Sequence, residues 1–259
     1  MKYSFSTMAM PGMALDEVVK VAREYGFDGV DLRVRNEGGD ISENITSEEL
    51  AKIKKLFKDG LEISSLLCYN RMLKAERKDA DAEEIAASIL NCIRIAETLN
   101  VKIIRIFSGK LQNEDDVLFM AKILNMVFEK HTSDVLVLIQ NHRNCGVTCA
   151  HGELMKQHVK DERFGIILSP DHEALGGNDI YKECAKVLDI TKQVYIADVN
   201  EENKLCLIGE GVVDFNKVMG MLTDTGYDGY ITLKWEKCWH PELADYDVAF
   251  KSFKDYFKI

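Results

Sequence analysis

The residues best suited to chemistry follow short apolar segments of the chain. Lys234 and Glu236 are two positions apart at the end of one such segment, so an extended backbone places both side chains on the same face. Gln140 and His142 share a face by the same parity, and His172 follows another apolar segment. A carboxylate or an imidazole can accept or donate a proton, and an ammonium directed into a site attracts an oxyanion. These side chains are therefore candidates for chemistry at the ends of the apolar segments.

Eight segments rich in Val, Ile, Leu and Phe supply the framework for these side chains. Each is followed by a longer segment of helical periodicity, and their starts are 27 to 40 residues apart, the length of a βα unit. The predicted strands are residues 2–8, 29–34, 61–67, 101–107, 135–141, 164–169, 193–199 and 229–235. The predicted helices are residues 15–25, 81–99, 117–130, 151–159, 180–188, 215–222 and 248–257, with one more after the capping box of Thr46 and Glu49.

This alternation predicts a single (β/α)8 TIM barrel that spans residues 1–259 as one domain. Only three prolines interrupt the chain, and no linker-like segment appears. Gly26 and Gly226 each end a helix in a repeated Gly-aromatic-Asp-Gly pattern, as expected of units that share one geometry. A doubly wound open sheet is the alternative, but residues 7–12 lack its glycine-rich turn. In a barrel the active site lies at the carboxyl ends of the strands.

Composition restricts the compartment and the partners. The net charge of −10 and the pI of about 5.2 disfavour nucleic acid and anionic membrane surfaces. No segment approaches the ~20 apolar residues of a membrane helix, and the N-terminus lacks the apolar core of a signal peptide. The seven cysteines are odd in number and widely spread, which favours reduced thiols. We expect a cytoplasmic protein, with a homo-oligomer left open.

Several motifs together resemble one known family. They are residues 26–33, 103–109, 138–142 and 168–172, Asp198 with the GEGVVDF segment at 209–215, and residues 227–236, which open with Tyr-Asp-Gly-Tyr. The succession is similar to the xylose isomerase-like TIM-barrel family of sugar phosphate isomerases and epimerases. The resemblance implies a single barrel with a small-molecule carbohydrate at the strand ends.

The resemblance also exposes a departure at the metal site. Members of the family usually hold a divalent metal with Glu, Asp, His and Glu on strands five to eight. The matching positions here are Gln140, Ser169, Tyr195 and Lys234, none of which is a good ligand for Mn²⁺ or Zn²⁺. We therefore predict no metal and no other cofactor, with the Lys234 ammonium replacing part of the metal's positive charge.

The predicted site has two parts. Its catalytic residues are Lys234, Glu236 and His142, and its substrate-binding residues are Gln140, His172, Arg33, Asp198 and Ser169. Other functional or structural roles stay open for some of them. Lys234 could form an ion pair or a Schiff base, Arg33 could pair internally with Asp31, and Asp198 could orient its loop.

Two further features have competing interpretations. The two His and two Cys in residues 142–151 are spaced HxxCxxxCxH, which matches no common zinc module and disfavours a zinc site. Trp235 and Trp239 could stack on a sugar or pack in the core.

The favoured function is a sugar or sugar-phosphate isomerase or epimerase without the family's metal. The alternatives are a catalytically inactive barrel that binds a ligand or partner, and a metal-dependent isomerase with relocated ligands. The DNA-repair endonucleases that share this barrel are disfavoured, because the net charge is −10 and a trinuclear zinc ligand set is missing.

Overall fold

The predicted strand segments form one closed parallel barrel, which confirms the (β/α)8 prediction. The structure is a computed structural model that describes residues 1–74 and 81–259. The strands are β1 (Lys2–Ser6), β2 (Gly29–Val34), β3 (Glu62–Arg71), β4 (Ile103–Phe107), β5 (Leu136–Gln140), β6 (Phe164–Leu168), β7 (Thr191–Ile196), β8 (Asp198–Val199), β9 (Leu205–Cys206) and β10 (Tyr230–Leu233). The barrel order is β1-β10-β7-β6-β5-β4-β3-β2, and β8 pairs with β9 in a separate antiparallel hairpin. The barrel closes where Lys2 lies opposite Tyr230 and Phe5 opposite Leu233.

Helices follow the barrel strands at the expected places. They are α1 (Leu15–Glu24), α2 (Ser47–Leu56), α3 (Ala82–Leu99), α4 (Glu114–Lys130), α5 (Cys149–His158), α6 (Pro170–Leu175), α7 (Ile180–Ala185), α8 (Phe215–Asp224) and α9 (Tyr246–Phe257). The predicted capping box of Thr46 and Glu49 begins α2. Gly26 and Gly226 follow α1 and α8 with φ of 68° and 73°, the left-handed conformation that glycine adopts without strain.

The sequence placed some element boundaries wrongly. The first strand ends at Ser6 rather than Met8, because the Ser6 hydroxyl accepts the Met8 N–H and begins a 3₁₀ turn. The third strand continues to Arg71, and the predicted strand 193–199 is divided into β7 and β8. The short helix α6 was not predicted. It begins directly after β6 with Pro170 at its first position, where proline is favourable.

The core has two layers, and the alternation of each strand determines which layer a side chain enters. Ile104 and Ile106 of β4 join the large core between the sheet and the helices, so Ile103 and Arg105 point into the barrel. Ile231 and Leu233 of β10 likewise pack outward, and the next residue that points inward is Lys234. The alternation therefore directs two cationic side chains into the barrel interior. In the described part of the chain, no helix is long and apolar enough to cross a bilayer.

Candidate active site

Lys234 lies at the centre of the barrel mouth, where β10 ends. Its side chain is almost fully buried, and Nζ lies 2.8 Å from Glu236 Oε1 and 3.1 Å from His172 Nε2. An ammonium has only donors, so Nε2 accepts this hydrogen bond and the neutral His172 ring carries its proton on Nδ1. The structure thus brings together three of the residues that the sequence selected, and it directs the Lys234 amine into the site.

His142 completes the group from the end of β5. Its ring lies 4.1 Å from that of His172, measured between centroids. Burial, reinforced by the Lys234 ammonium and Arg105, lowers the pKa of His142 to about 3 and lowers the pKa of His172 as well. Both rings are therefore neutral at physiological pH. Within the described residues, neither Nδ1 has a hydrogen-bond partner, although both atoms are buried.

The pKa values of two carboxyl groups in the barrel mouth are shifted in opposite directions. Burial raises the pKa of Glu236, but the Lys234 ammonium more than offsets this effect, and the net shift is downward. For Asp171, burial outweighs the attraction of Lys234 and raises the pKa to about 7. Asp171 Oδ1 is buried without a hydrogen-bond partner among the described residues. We call Lys234, Glu236, His142, His172 and Asp171 the mouth cluster.

Two cavities meet at the mouth cluster. One of about 590 Å³ is bordered by Asp171, and the other, of about 650 Å³, is bordered by His142. Lys234, Glu236 and His172 line both cavities. A ligand in either space would meet the same ammonium, carboxylate and imidazole.

Gln140 and Ser169 lie behind this surface. Gln140 Nε2 donates to Ser169 Oγ at 2.8 Å, and both side chains are buried outside the lining of the two cavities. Asn141 fixes the neighbouring backbone, because its Nδ2 donates to Ser169 O and its Oδ1 accepts the Ser169 N–H. Their placement gives Gln140 and Ser169 a supporting position rather than a place on the cavity wall.

The structure assigns two predicted binding residues to other tasks. Arg33 does not pair with Asp31. Its guanidinium lies 3.1 Å from Asp40 Oδ1, and neither cavity includes it. The carboxylate of Asp198 is fully buried and accepts backbone N–H bonds from its own loop. In this structure Arg33 forms an ion pair and Asp198 orients its loop, and neither side chain lines the two cavities.

Asp31 and Tyr195 lie deeper in the barrel than the sequence suggested. The Tyr195 hydroxyl donates to Asp31 Oδ2 at 2.7 Å, and Ser65 Oγ donates to Oδ1 at 2.5 Å. Burial raises the pKa of Asp31 to about 7, although these hydrogen bonds and the nearby Arg105 lower it in part. Tyr195 therefore uses its hydroxyl inside the barrel and not at the mouth.

The chemistry of the donor set tests whether the family's metal fits. Four positions match the family's metal ligands. Of these, Lys234 carries an ammonium, the Tyr195 hydroxyl is hydrogen-bonded to Asp31, and Gln140 and Ser169 are hydrogen-bonded to each other. Across residues 1–74 and 81–259, no three or more His, Cys, Asp or Glu side chains are arranged to hold a metal ion. A divalent cation at these positions would meet a like charge, so the residues present do not fit it.

Within the segment that holds two His and two Cys, His142 belongs to the mouth cluster, whereas His151 and Cys149 have structural roles. His151 Nδ1 accepts the Thr148 N–H at the start of α5, and Cys149 is buried.

The two tryptophans differ in exposure. Trp235 is buried and donates to Ala244 O, while Trp239 is half-exposed on the wall of the 650 Å³ cavity.

Sequence reasoning missed Arg105 and the other arginines of this cavity. Arg105 is buried at 2% exposure in the inner face of β4 and borders the same space as Lys234. Its signal was present, because Arg105 interrupts the apolar run Ile103-Ile104-Arg105-Ile106-Phe107 of a buried strand. Charged residues are seldom buried without a purpose, so an arginine within such a strand indicates a site.

Comparison with known proteins places the chain in a family. It belongs to the xylose isomerase-like TIM barrel family, whose model matches residues 19–256. Comparison with curated protein sequences found no match.

Solved structures share the barrel along nearly its full length. The probable 3-DHS dehydratase AsbF from Bacillus anthracis is 18% identical with a TM-score of 0.75, and the alignment covers 98% of this chain and 99% of that one. The IolI protein with a bound zinc atom is 14% identical with a TM-score of 0.79, covering 98% and 96%. D-psicose 3-epimerase, solved in the presence of D-fructose, is 14% identical with a TM-score of 0.77, covering 99% and 99%. At such identities the likeness establishes the fold alone.

Proposed function

We propose that this protein is an isomerase or epimerase of small carbohydrates that works by proton transfer, with the Lys234 ammonium in place of a metal. The observation that carries the proposal is the position of Lys234 Nζ, 2.8 Å from Glu236 and 3.1 Å from His172, at the junction of two cavities. The likeness to D-psicose 3-epimerase supports the reaction class.

The charges of the site suit removal of a proton next to a carbonyl. Glu236 is ionised at neutral pH because its pKa is lowered, so it can accept the proton. Burial lowers the pKa of His142 to about 3, whereas Glu236 carries the negative charge paired with Lys234, so we assign the proton transfer to Glu236. When Glu236 becomes neutral, the negative charge moves to the substrate oxygen. Lys234 balances that charge before and after the transfer, which stabilises the enolate without a change in the net charge of the site.

The remaining groups of the mouth cluster position the substrate. The neutral His172 ring has an Nδ1 proton without a partner among the described residues, and that proton can be donated to a sugar oxygen. Asp171, with a pKa of about 7, retains its proton in a large fraction of molecules at neutral pH and is a second proton source.

Exchange of substrate hydrogen with solvent tests this function. The full chain, treated with a chelator, is incubated in D₂O with ketoses, aldoses and their phosphates, and deuterium at carbon is followed by NMR. We expect incorporation by the wild type and a loss of about 10²- to 10³-fold in Lys234→Met, the range seen when one group that stabilises an oxyanion is removed. The matched control is Lys251→Met, which makes the same change at an exposed lysine of α9.

The other outcomes separate the alternatives. Exchange that requires added Mn²⁺ would identify a metal-dependent isomerase with relocated ligands. Stabilisation by sugars in a thermal-shift assay without any exchange would identify an inactive ligand-binding barrel. Undiminished exchange by Lys234→Met would remove the central element of the proposal.

A further inference from the structure

The 650 Å³ cavity has a charge opposite to that of the whole chain. Its described lining contains the five cations Arg35, Arg71, Arg105, Lys110 and Lys234, against the single carboxylate of Glu236. The chain as a whole carries a net charge of −10. Since Glu236 is already paired with Lys234, the other cations of this wall have no acid within the lining itself. A basic wall in an acidic protein concentrates anions in the cavity.

Arg105 is the buried member of this group, and two of its nitrogen donors have no partner among the described residues. It is 2% exposed, and its Nε and Nη1 atoms have no hydrogen-bond partner among the described residues. The guanidinium carbon lies 3.8 Å from the centre of the Phe107 ring and 5.6 Å from that of Tyr69. Aromatic rings therefore hold the Arg105 guanidinium, while its Nε and Nη1 donors stay free of partners among the described residues. A buried guanidinium cannot lose its charge, so an anion that reached these donors would relieve a large desolvation cost.

Arg35 also lies over the Tyr69 ring. Its guanidinium carbon lies 4.9 Å from the centre of the Tyr69 ring and 5.5 Å from that of Trp239. The Tyr69 ring is thus shared by two arginines, one buried and one nearer to solvent. Arginine forks oriented by aromatic rings are suited to planar or tetrahedral oxyanions, which they can bind through two hydrogen bonds each.

We propose that Arg105 and Arg35 form a subsite for an anionic group of the substrate, a phosphate or a carboxylate. This inference rests on the proposed carbohydrate function and narrows its substrate class to acidic carbohydrates. The anionic group lies against the Arg105–Tyr69–Arg35 wall, and the reacting carbons lie near Lys234 and Glu236, which border the same cavity.

Anion binding to the full chain tests the subsite. The melting temperature is measured against inorganic phosphate, with sodium chloride of equal ionic strength as the reference, and the apparent affinity is taken from the concentration dependence. We expect phosphate to raise the melting temperature more than chloride does. Arg35→Gln and Arg105→Gln are each expected to weaken the apparent affinity about tenfold or more, because each removes charge-assisted hydrogen bonds. The control Arg94→Gln, on an exposed turn of α3, is expected to bind phosphate as the wild type does.

The source of the anionic group is decided by three further probes. D-fructose 6-phosphate, D-gluconate and neutral D-fructose are compared at equal concentration, and the tighter acidic probe shows whether phosphate or carboxylate is preferred. If Arg105→Gln fails to fold, Arg35→Gln alone decides the question. Equal stabilisation by phosphate and chloride, undiminished phosphate binding in the folded arginine variants, or equal affinity for neutral and acidic sugars would each overturn the subsite.

Binding and turnover are read separately. A chain that exchanges the hydrogen of neutral D-fructose but shows no anion binding retains the proposed function and loses the subsite. A chain that binds phosphate through Arg35 and Arg105 but exchanges no hydrogen with any sugar retains the subsite and loses the proposed function.

Discussion

Asp198 and Asp171 are both buried carboxyl groups beyond the carboxyl ends of neighbouring barrel strands, yet their surroundings differ. Asp198 Oδ1 accepts the N–H groups of Val199 and Val213, and Oδ2 accepts those of Gly209 and Gly211, at 2.9–3.3 Å. We call this arrangement the Asp198 loop. Asp171 Oδ1 has no hydrogen-bond partner among the described residues, and it borders a cavity.

The difference shows how structural and functional polar groups can be told apart in one barrel. Most buried polar groups in folded proteins have a partner, so a saturated carboxylate such as Asp198 is explained by the fold. The mouth cluster combines unpartnered atoms of His142, His172 and Asp171 with shifted pKa values and open space. Such groups carry an energetic cost in the folded chain that a bound ligand can offset. The following predictions test this contrast.

The largest effect on stability is expected from Asp198→Ala. The substitution leaves several backbone N–H groups of the loop without an acceptor, and the free energy of unfolding should fall by about 3 kcal/mol or more. Urea denaturation measures it. Gly211→Ala should destabilise the same loop by steric overlap, because a Cβ at residue 211 would lie 2.2 Å from Asp198 Oδ1. Little loss of stability in either variant would contradict the structural role.

Replacing both members of the Lys234–Glu236 ion pair should not lower the free energy of unfolding. The double variant Lys234→Met/Glu236→Met exchanges a largely buried pair for apolar groups, and such changes are often neutral or stabilise by about 1–4 kcal/mol. We expect unfolding at equal or higher urea concentration than the wild type, together with loss of deuterium exchange. The single variant Lys234→Met leaves Glu236 unpaired and should be less stable than the double variant. A double variant less stable than this single one would show that the pair is retained for stability.

Asp31→Asn tests a third buried carboxyl group through pH. The unfolded chain loses the Asp31 proton near pH 4, whereas the folded protein holds it until about pH 7. The folded state therefore binds more protons between these values, and the free energy of unfolding should decrease as pH rises through this window. Thermal melts from pH 4 to 8 should show a smaller decrease in Asp31→Asn than in the wild type. The control Asp224→Asn, at the exposed end of α8, should retain the wild-type slope, and an unchanged slope in Asp31→Asn would contradict the raised pKa.

Trp239→Ala should give the smallest change. Trp239 is 50% exposed, so the melting temperature is expected to stay within about 2 °C of the wild type. Its ring contacts Arg35, and loss of one exposed cation–π contact should weaken phosphate binding about two- to fivefold. Isothermal titration with inorganic phosphate measures this effect. Phosphate affinity equal to that of the wild type would assign the orientation of Arg35 to Tyr69 alone.

The parts of the site that the sequence predicted are those fixed by local rules. Strand parity was enough to place Lys234 beside Glu236, because residues two apart on an extended chain share a face. Parity did not show that the rings of His142 and His172, which come from different strands, would lie with their centroids 4.1 Å apart. The choice of residues at the strand ends also selected Arg33, whose guanidinium forms an ion pair with Asp40, and left out Arg105.

The sequence by itself determined the barrel and the class of residues at its mouth, because hydrophobic periodicity and helix-capping signals are encoded within single βα units. Tertiary structure alone decided which polar groups are saturated and which are left for a ligand. Depth, partner and dielectric surroundings depend on strands far apart in the chain, as when Tyr195 reaches Asp31 across 164 positions. Burial then sets which carboxyl group keeps its proton and which imidazole stays neutral, and no local pattern contains that information.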